Sequence, residues 1–381
     1  MRVRFPIQKS ADSIKCIESK NPTQKIKVCV AGKNEIALNA LKLLQTRFQN
    51  DEICVIPNRN DTGIDTWQPS LLKYALQASI PVCTLEQVQQ IANVLFLSLE
   101  FDRLLRVEQF ASKRLYNIHF SALPKYKGVY TSITPILNGE SSSGVTLHCI
   151  DNGIDTGDII AQRIFEIGLQ ECARDLYFKY LKQGFMLLQG NLDSLLSGNF
   201  QCTKQDFRQS SYFSRTAIDV KNININLKKT SFEIHNQLRA FIFREYQLPR
   251  LNGVSIAKSI LSGEFIGANV FRESDNMFIL SGIDGFKIMT QKAIADKAIL
   301  DNTSLNNIIN NLDSAGGGGV IYALIAILSP LIIFYHFFFL QKFILSFYFA
   351  QFHKIAQELL SHSTRNHVKS TRGASNDTSS L

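Results

Sequence analysis

Asn117-Ile-His119-Phe-Ser121-Ala-Leu-Pro124-Lys-Tyr-Lys-Gly128 and Gly144-Val-Thr-Leu-His148-Cys-Ile-Asp151-Asn-Gly-Ile-Asp155-Thr-Gly-Asp158 decide how this chain reads. The first opens as a strand, where residues two apart share a face, so Asn117 and His119 project side by side into one cleft. The second reads as a strand from Val145 to Ile150 running into a Gly/Asp/Asn loop that can carry Asp155 to the same cleft. An amide, an imidazole and a carboxylate placed together suit acyl transfer to an amine. Asn117 and His119 would stabilise the oxyanion of a tetrahedral intermediate. Asp155 would take the amine proton, directly or through water.

Working outward, Ile26 to Val30 is a short apolar run that ends at Ala31-Gly32-Lys33-Asn34. A helix is predicted from Glu35 to about Arg47, with Ile36, Ala40, Leu43 and Leu44 on one stripe. Ile53 to Ile56 and Val94 to Leu99 read as strands, and Gln68 to Ala78 and Thr84 to Ile91 as helices. This alternation predicts an α/β fold with a doubly wound, mostly parallel sheet and its site at the carboxyl ends of the strands. Gly144 to Asp151 and Asp158 to Glu166 add strands, and a helix over roughly Gln170 to Ser197 closes the domain. Residues 250 to 298 alternate apolar and polar, with turns at Gly253, Gly263, Gly282 and Gly285, which predicts a small β-rich domain. The expected plan is a loose extension over 1–25, a catalytic domain over 26–200, a linker over 201–230, a β-rich domain over 231–312 and a tail over 313–381.

A length of 381 residues, 45% of them hydrophobic, suffices for two domains with a proper core. The formal net charge of +9 fits an anionic substrate, a nucleotide-sugar or RNA, without choosing between them. Seven cysteines (16, 29, 54, 83, 149, 172, 202) are scattered, with no Cys-x-x-Cys pair. That speaks against a disulfide framework and a zinc site, and for a reducing cytoplasm. The start, Met1-Arg-Val-Arg-Phe-Pro, lacks the apolar stretch of a secretory signal. No metal site is expected, because His119 with His148 and His353 with His362 lack ligand spacing.

The tail carries four glycines (316–319), then the 21 uncharged residues Val320 to Leu340, interrupted by Pro330 and His336. That length matches a membrane span of roughly 20 residues. Three readings stand: an anchor holding the enzyme at the cytoplasmic face of the membrane, a tail spliced on by slippage in a poly-G repeat of the gene, or a buried core helix.

The Asn-x-His…Ser-x-Leu-Pro…Gly and Ile-Asp-x-Gly-Ile-Asp-Thr-Gly-Asp runs resemble those of the folate-dependent formyltransferases, which include methionyl-tRNA, glycinamide ribonucleotide and sugar N-formyltransferases. Phe120 departs from the small residue or proline frequent at its position. The resemblance implies catalytic roles for Asn117, His119 and Asp155 and N10-formyltetrahydrofolate as formyl donor. The pterin is then expected against the backbone of Leu97, Leu99, Glu100 and Phe101 and the loop holding Asp151, Gly153, Ile154 and Asp158. Trp67-Gln68-Pro-Ser-Leu71, Tyr126-Lys-Gly-Val-Tyr130 and Phe243-Arg-Glu-Tyr246-Gln-Leu-Pro249 resemble signatures of the dTDP-amino-sugar enzymes. They imply substrate contacts from Lys33, Asn34, Trp67, Gln68, Lys125, Lys127, Tyr130, Arg244, Tyr246 and Gln247. Lys125, Lys127 and Arg244 can pair with a pyrophosphate, and Tyr246 can stack on thymine.

The implied acceptor is dTDP-4-amino-4,6-dideoxyglucose, with a 3-amino sugar as close competitor, for surface polysaccharide (O-antigen) biosynthesis by a homodimer. No nucleic-acid partner is expected. The rival readings are a methionyl-tRNA formyltransferase and a catalytically idle, membrane-attached binding protein.

Overall fold

A computed structural model of the protein describes residues 25–293. The predicted span over 320–340, the extension before residue 25 and the glycine run lie outside the described residues. Among the described residues no helix is long and apolar enough to cross a membrane.

Strand β1 (Val28–Gly32) is flanked by β2 (Ile53–Pro57) on one side and β3 (Leu95–Leu99) on the other, all parallel. Next to β3 lies β4 (Leu115–His119), also parallel. Two further strands, β6 (Ser142–Cys149) and β7 (Ile159–Glu166), pair antiparallel and extend the order to β2-β1-β3-β4-β6-β7, while the two-residue β5 (Lys127–Gly128) and β8 (Tyr212–Phe213) pair apart from it.

The strands are apolar on both faces because both faces are covered. Val28 and Val30 join Ile36 and Leu41 of α1 (Asn34–Leu44) and Leu176 and Leu188 of α5 (Ala173–Ser197) in one core cluster. The alternate residues Cys29 and Ala31 join Leu85 and Val88 of α3 (Leu85–Gln89) and Phe96 in another. Each fully buried aliphatic side chain of these layers contributes roughly 2 kcal/mol of burial free energy. The sheet is doubly wound, and the chain reverses direction across it between β1 and β3. Phe120 is buried and stacks on Tyr180 of α5 at 5.3 Å, so its bulk fills the core beneath β4.

The β-rich region is a five-stranded antiparallel sheet, β11-β12-β13-β10-β9 (Phe271–Glu273, Met277–Ser281, Phe286–Lys292, Val254–Phe265 and Arg250–Leu251). Helix α6 (Ser231–Ala240), opened by a Thr230–Glu233 capping box, packs against β10. Buried His235 ties this unit to the start of α5: its Nε2–H donates to the Leu169 carbonyl and its Nδ1 accepts from the Ser259 hydroxyl, each at 2.8 Å.

Candidate active site

Asn117 and His119 stand at the carboxyl end of β4, as their alternation requires, and Asp155 arrives on the loop between β6 and β7. One Asp155 oxygen accepts the Gly128 N–H at 2.9 Å. The other lies 3.4 Å from His119 Nδ1 and 3.5 Å from Asn117 Nδ2. The His119 and Asp155 side chains are only 9% and 14% exposed, so their electrostatic contacts act with little screening. Gly128 is held at φ 87°, and a Cβ there would meet the Phe213 carbonyl oxygen at 2.3 Å. Glycine is therefore what lets this backbone N–H reach the carboxylate.

His119 Nε2 lies 2.8 Å from the Tyr126 carbonyl and must donate to it. Its other nitrogen faces the carboxylate, so both ring nitrogens look at oxygen acceptors and a proton on each is satisfied. His148, which carried no functional expectation, sits beside this pair. Its Nδ1 lies 2.8 Å from the Cys149 carbonyl and its Nε2 3.0 Å from the Asn117 amide nitrogen. Burial holds the imidazole below its ordinary pKa, with the Asp155 charge opposing. The ring is therefore neutral, protonated at Nδ1, and its bare Nε2 accepts an N–H of Asn117. That contact fixes which way the Asn117 amide faces. The sequence could not flag it, because the Asn117–His148 pairing exists only through the antiparallel register of β4 and β6.

Gln205, from the linker, donates to the main-chain oxygens of Asp155 and Gly157 at 2.9 and 2.7 Å and clamps the loop from outside. Asp151 shapes the same loop by accepting the Gly153 N–H and the Thr156 hydroxyl. Asp158 closes it, its carbonyl taking the Cys149 N–H. Ile154 is exposed at the rim.

Leu97 and Leu99 give their side chains to the core, and the Leu99 carbonyl accepts the Lys33 N–H, so these two leave little but backbone for a ligand. Phe101 packs edge-on against Phe96 beneath Arg103. Glu100 does not join the Asp151 loop. It joins Asn34, whose amide nitrogen donates to its carboxylate, and Tyr177, whose hydroxyl donates to the same oxygen at 2.8 Å. Gln68 donates to Tyr177 at 2.9 Å. Trp67 meets Tyr177, Phe178, Phe243 and Tyr246 at ring separations of 6.1, 6.2, 5.7 and 5.5 Å. Tyr246 remains 58% exposed, with an open flank for an aromatic ligand.

Gln247 closes the turn that presents Tyr246, bonding to Phe243 through its backbone. Beneath that turn Arg174 grips Glu245 in a bidentate pair, which also takes Arg244, whose side chain is mostly exposed. Lys125 is exposed near Glu140, and Tyr130 donates its hydroxyl to the Arg215 carbonyl. Lys127 is buried, and no described residue accepts a hydrogen bond from its ammonium. Lys33 precedes α1 as its N-cap.

Five non-glycine residues of this region, Asn34, Glu100, Tyr126, Tyr130 and Asp155, have φ between 54° and 65°. Such left-handed backbone is costly outside glycine and gathers at functional sites. Among the described residues no group of acidic, histidine and cysteine side chains is arranged to hold a metal ion. A cavity of about 820 Å³ lies at the amino ends of β1 and β4, lined by Lys25, Asp51 and Arg114 among others, and contains none of these site residues.

Residues 84–190 match the formyl transferase family model. The structure of WlaRD, a sugar 3N-formyl transferase solved in the presence of dTDP and 5-N-formyl-THF, is 57% identical. The match covers 72% of this chain and 99% of that one, with a TM-score of 0.70. The chain belongs to the formyl transferase family. The N-formyltransferase from Helicobacter canadensis, in complex with folinic acid and dTDP-3-aminofucose, is also 57% identical to this formyl transferase family member. That match covers 70% of this chain and all of the other, at a TM-score of 0.69. Methionyl-tRNA formyltransferase from Fervidobacterium nodosum is 33% identical over 47% of this chain and 54% of its own length. The family member thus spans about half the length of the curated relatives it matches.

Proposed function

We propose that this protein transfers the formyl group of N10-formyltetrahydrofolate to the amine of a dTDP-linked 3-amino sugar in the cytoplasm, in the synthesis of a surface polysaccharide. The observation that carries the reading is the convergence of Asn117, His119 and Asp155 within 3.5 Å. The sugar position follows the two relatives at 57% identity, both described with 3-amino chemistry, and replaces the 4-amino acceptor expected from sequence motifs.

The amine binds neutral and attacks the formyl carbon, and is nucleophilic enough that no covalent enzyme intermediate is required. Negative charge collects on the formyl oxygen, which takes the Asn117 N–H that otherwise rests 3.5 Å from Asp155, with the His119 imidazole beside it. Asp155 takes the proton released from the amine and orients His119. Collapse expels the N10 nitrogen, which gains a proton, leaving the N-formyl sugar and tetrahydrofolate. The loop over residues 151–158 and the backbone after Leu99 would hold the pterin. Lys127, buried with no acceptor among the described residues, would meet an anionic part of the substrate.

The curated relatives favour a second reading, with initiator methionyl-tRNA as acceptor. The full chain incubated with the formyl donor and, separately, dTDP-3-amino sugar, dTDP-4-amino sugar and methionyl-tRNA separates them. Mass spectrometry should find one added formyl group on the 3-amino sugar. A formylated tRNA, with untouched sugars, would replace this reading with the second.

A further inference from the structure

Glu100 leaves β3 at the point where strand order reverses, between the ends of β1 and β3. Ligands of open α/β sheets bind in that crevice. In the β3–β4 register Leu99 pairs with Ile118, so Glu100 emerges beside His119, one strand spacing from the catalytic candidates.

The hydrogen bonds around it form a directed set. Tyr177 Oη donates to Glu100 Oε2 and accepts from Gln68 and Asn34, which uses its full capacity. The second N–H of Asn34 goes to the same Oε2. Burial and the adjacent Glu100 push the Tyr177 hydroxyl well above its ordinary pKa, so it stays a donor. Burial also holds the Glu100 carboxyl above its ordinary pKa, outweighing the opposing pull of Lys33, Asn34 and Tyr177. Glu100 is only partly buried, and among the described residues none donates to its remaining oxygen, Oε1. One carboxylate oxygen is therefore held by two protein donors while the other stays open to a ligand. Asn34 of α1 and Tyr177 of α5 hold it, Gln68 braces the Tyr177 hydroxyl, and both Asn34 and Glu100 adopt left-handed backbone.

We infer that Glu100, fixed by Asn34 and Tyr177, is a specificity-determining residue that accepts a hydroxyl of the acceptor sugar ring on its open oxygen, beside the amine to be formylated. This rests on the acceptor being a dTDP-linked amino sugar. An open carboxylate oxygen takes only a donor, so it selects a hydroxyl and disfavours a keto or phosphate group at that place. The aromatic group of Trp67 and Tyr246 is then left for the nucleoside.

The test compares binding of dTDP and of a dTDP-3-amino-3,6-dideoxy sugar to the full chain by calorimetry, for wild type, Glu100→Gln and Tyr177→Phe. Glutamine places its amide oxygen under the donors of Asn34 and Tyr177 and its NH2 toward the ligand. Glu100→Gln should weaken the amino sugar by roughly ten- to hundred-fold, the scale of a lost hydrogen bond to a charged group, and leave dTDP unchanged. Tyr177→Phe, which keeps the carboxylate but removes one support, should weaken the amino sugar by a few-fold relative to dTDP. If Glu100→Gln does not fold, the Tyr177→Phe ratio decides. Unchanged ratios, or equal loss of dTDP, overturn the inference while the proposed function stands. A wild-type chain that binds neither ligand overturns both.

Discussion

Asn117 and His148 face each other across the β4–β6 pair, with the Asn117 amide nitrogen 3.0 Å from the bare Nε2 of a neutral imidazole. The contact makes His148 a positioning residue for the amide meant to meet the oxyanion. His148→Ala should lower kcat by roughly ten- to hundred-fold with the sugar KM little changed, because a loosened group costs transition-state stabilisation before binding. His148→Gln, which restores an acceptor near the Nε2 position, should recover part of the rate. Steady-state kinetics on the two variants checks this, and equal losses in both would assign His148 a packing role only.

Asp155→Asn keeps an oxygen for the Gly128 N–H yet removes the base. Turnover should fall by about 10²- to 10⁴-fold, the usual contribution of a positioned general base. Nucleotide-sugar binding should be spared, so calorimetry and kinetics part company in this variant. Full activity would sink the role given to Asp155.

Gly157 packs so tightly on β6 that a Cβ would lie 1.8 Å from the Cys149 carbonyl oxygen. Gly157→Ala must push the loop off the strand and costs about 1–3 kcal/mol of stability. Asp155 stands two residues upstream on the same loop, so a shift of about 1 Å should also cost roughly a hundred-fold in kcat. Thermal unfolding together with kinetics tests both, and a variant with wild-type melting and rate would contradict the packing.

His235 is buried neutral, its pKa lowered to about 4 chiefly by desolvation. The unfolded chain binds a proton here near pH 6.5, which the folded chain takes up only near 4, so stability falls as pH drops through that window. The loss from this group reaches about 3 kcal/mol below pH 4. Urea melts of wild type and His235→Gln across pH 7 to 4 should show a smaller slope in the variant. Parallel slopes would remove His235 as the cause.

The alternation of apolar strands and amphipathic helices fixed the sheet, because solvent exclusion on both faces leaves its mark on every residue. Strand periodicity likewise placed Asn117 and His119 side by side, and the Gly/Asp pattern marked the loop that carries Asp155. Three elements of the site were beyond such reading. His148 depends on an antiparallel register, and Gln205 reaches Asp155 from a linker of no pattern. Glu100 lies among the residues expected to meet the pterin, yet its partners Asn34, Gln68 and Tyr177 come from far along the chain.

Local periodicity encodes which elements form and which way each side chain leaves the backbone. Which of those side chains meet is set by register, by strand order and by where loops close. In this protein that closure turned one histidine toward Asn117 and gathered Asn34 and Tyr177 on one oxygen of Glu100, because buried donors and acceptors must find partners wherever the packed fold brings them.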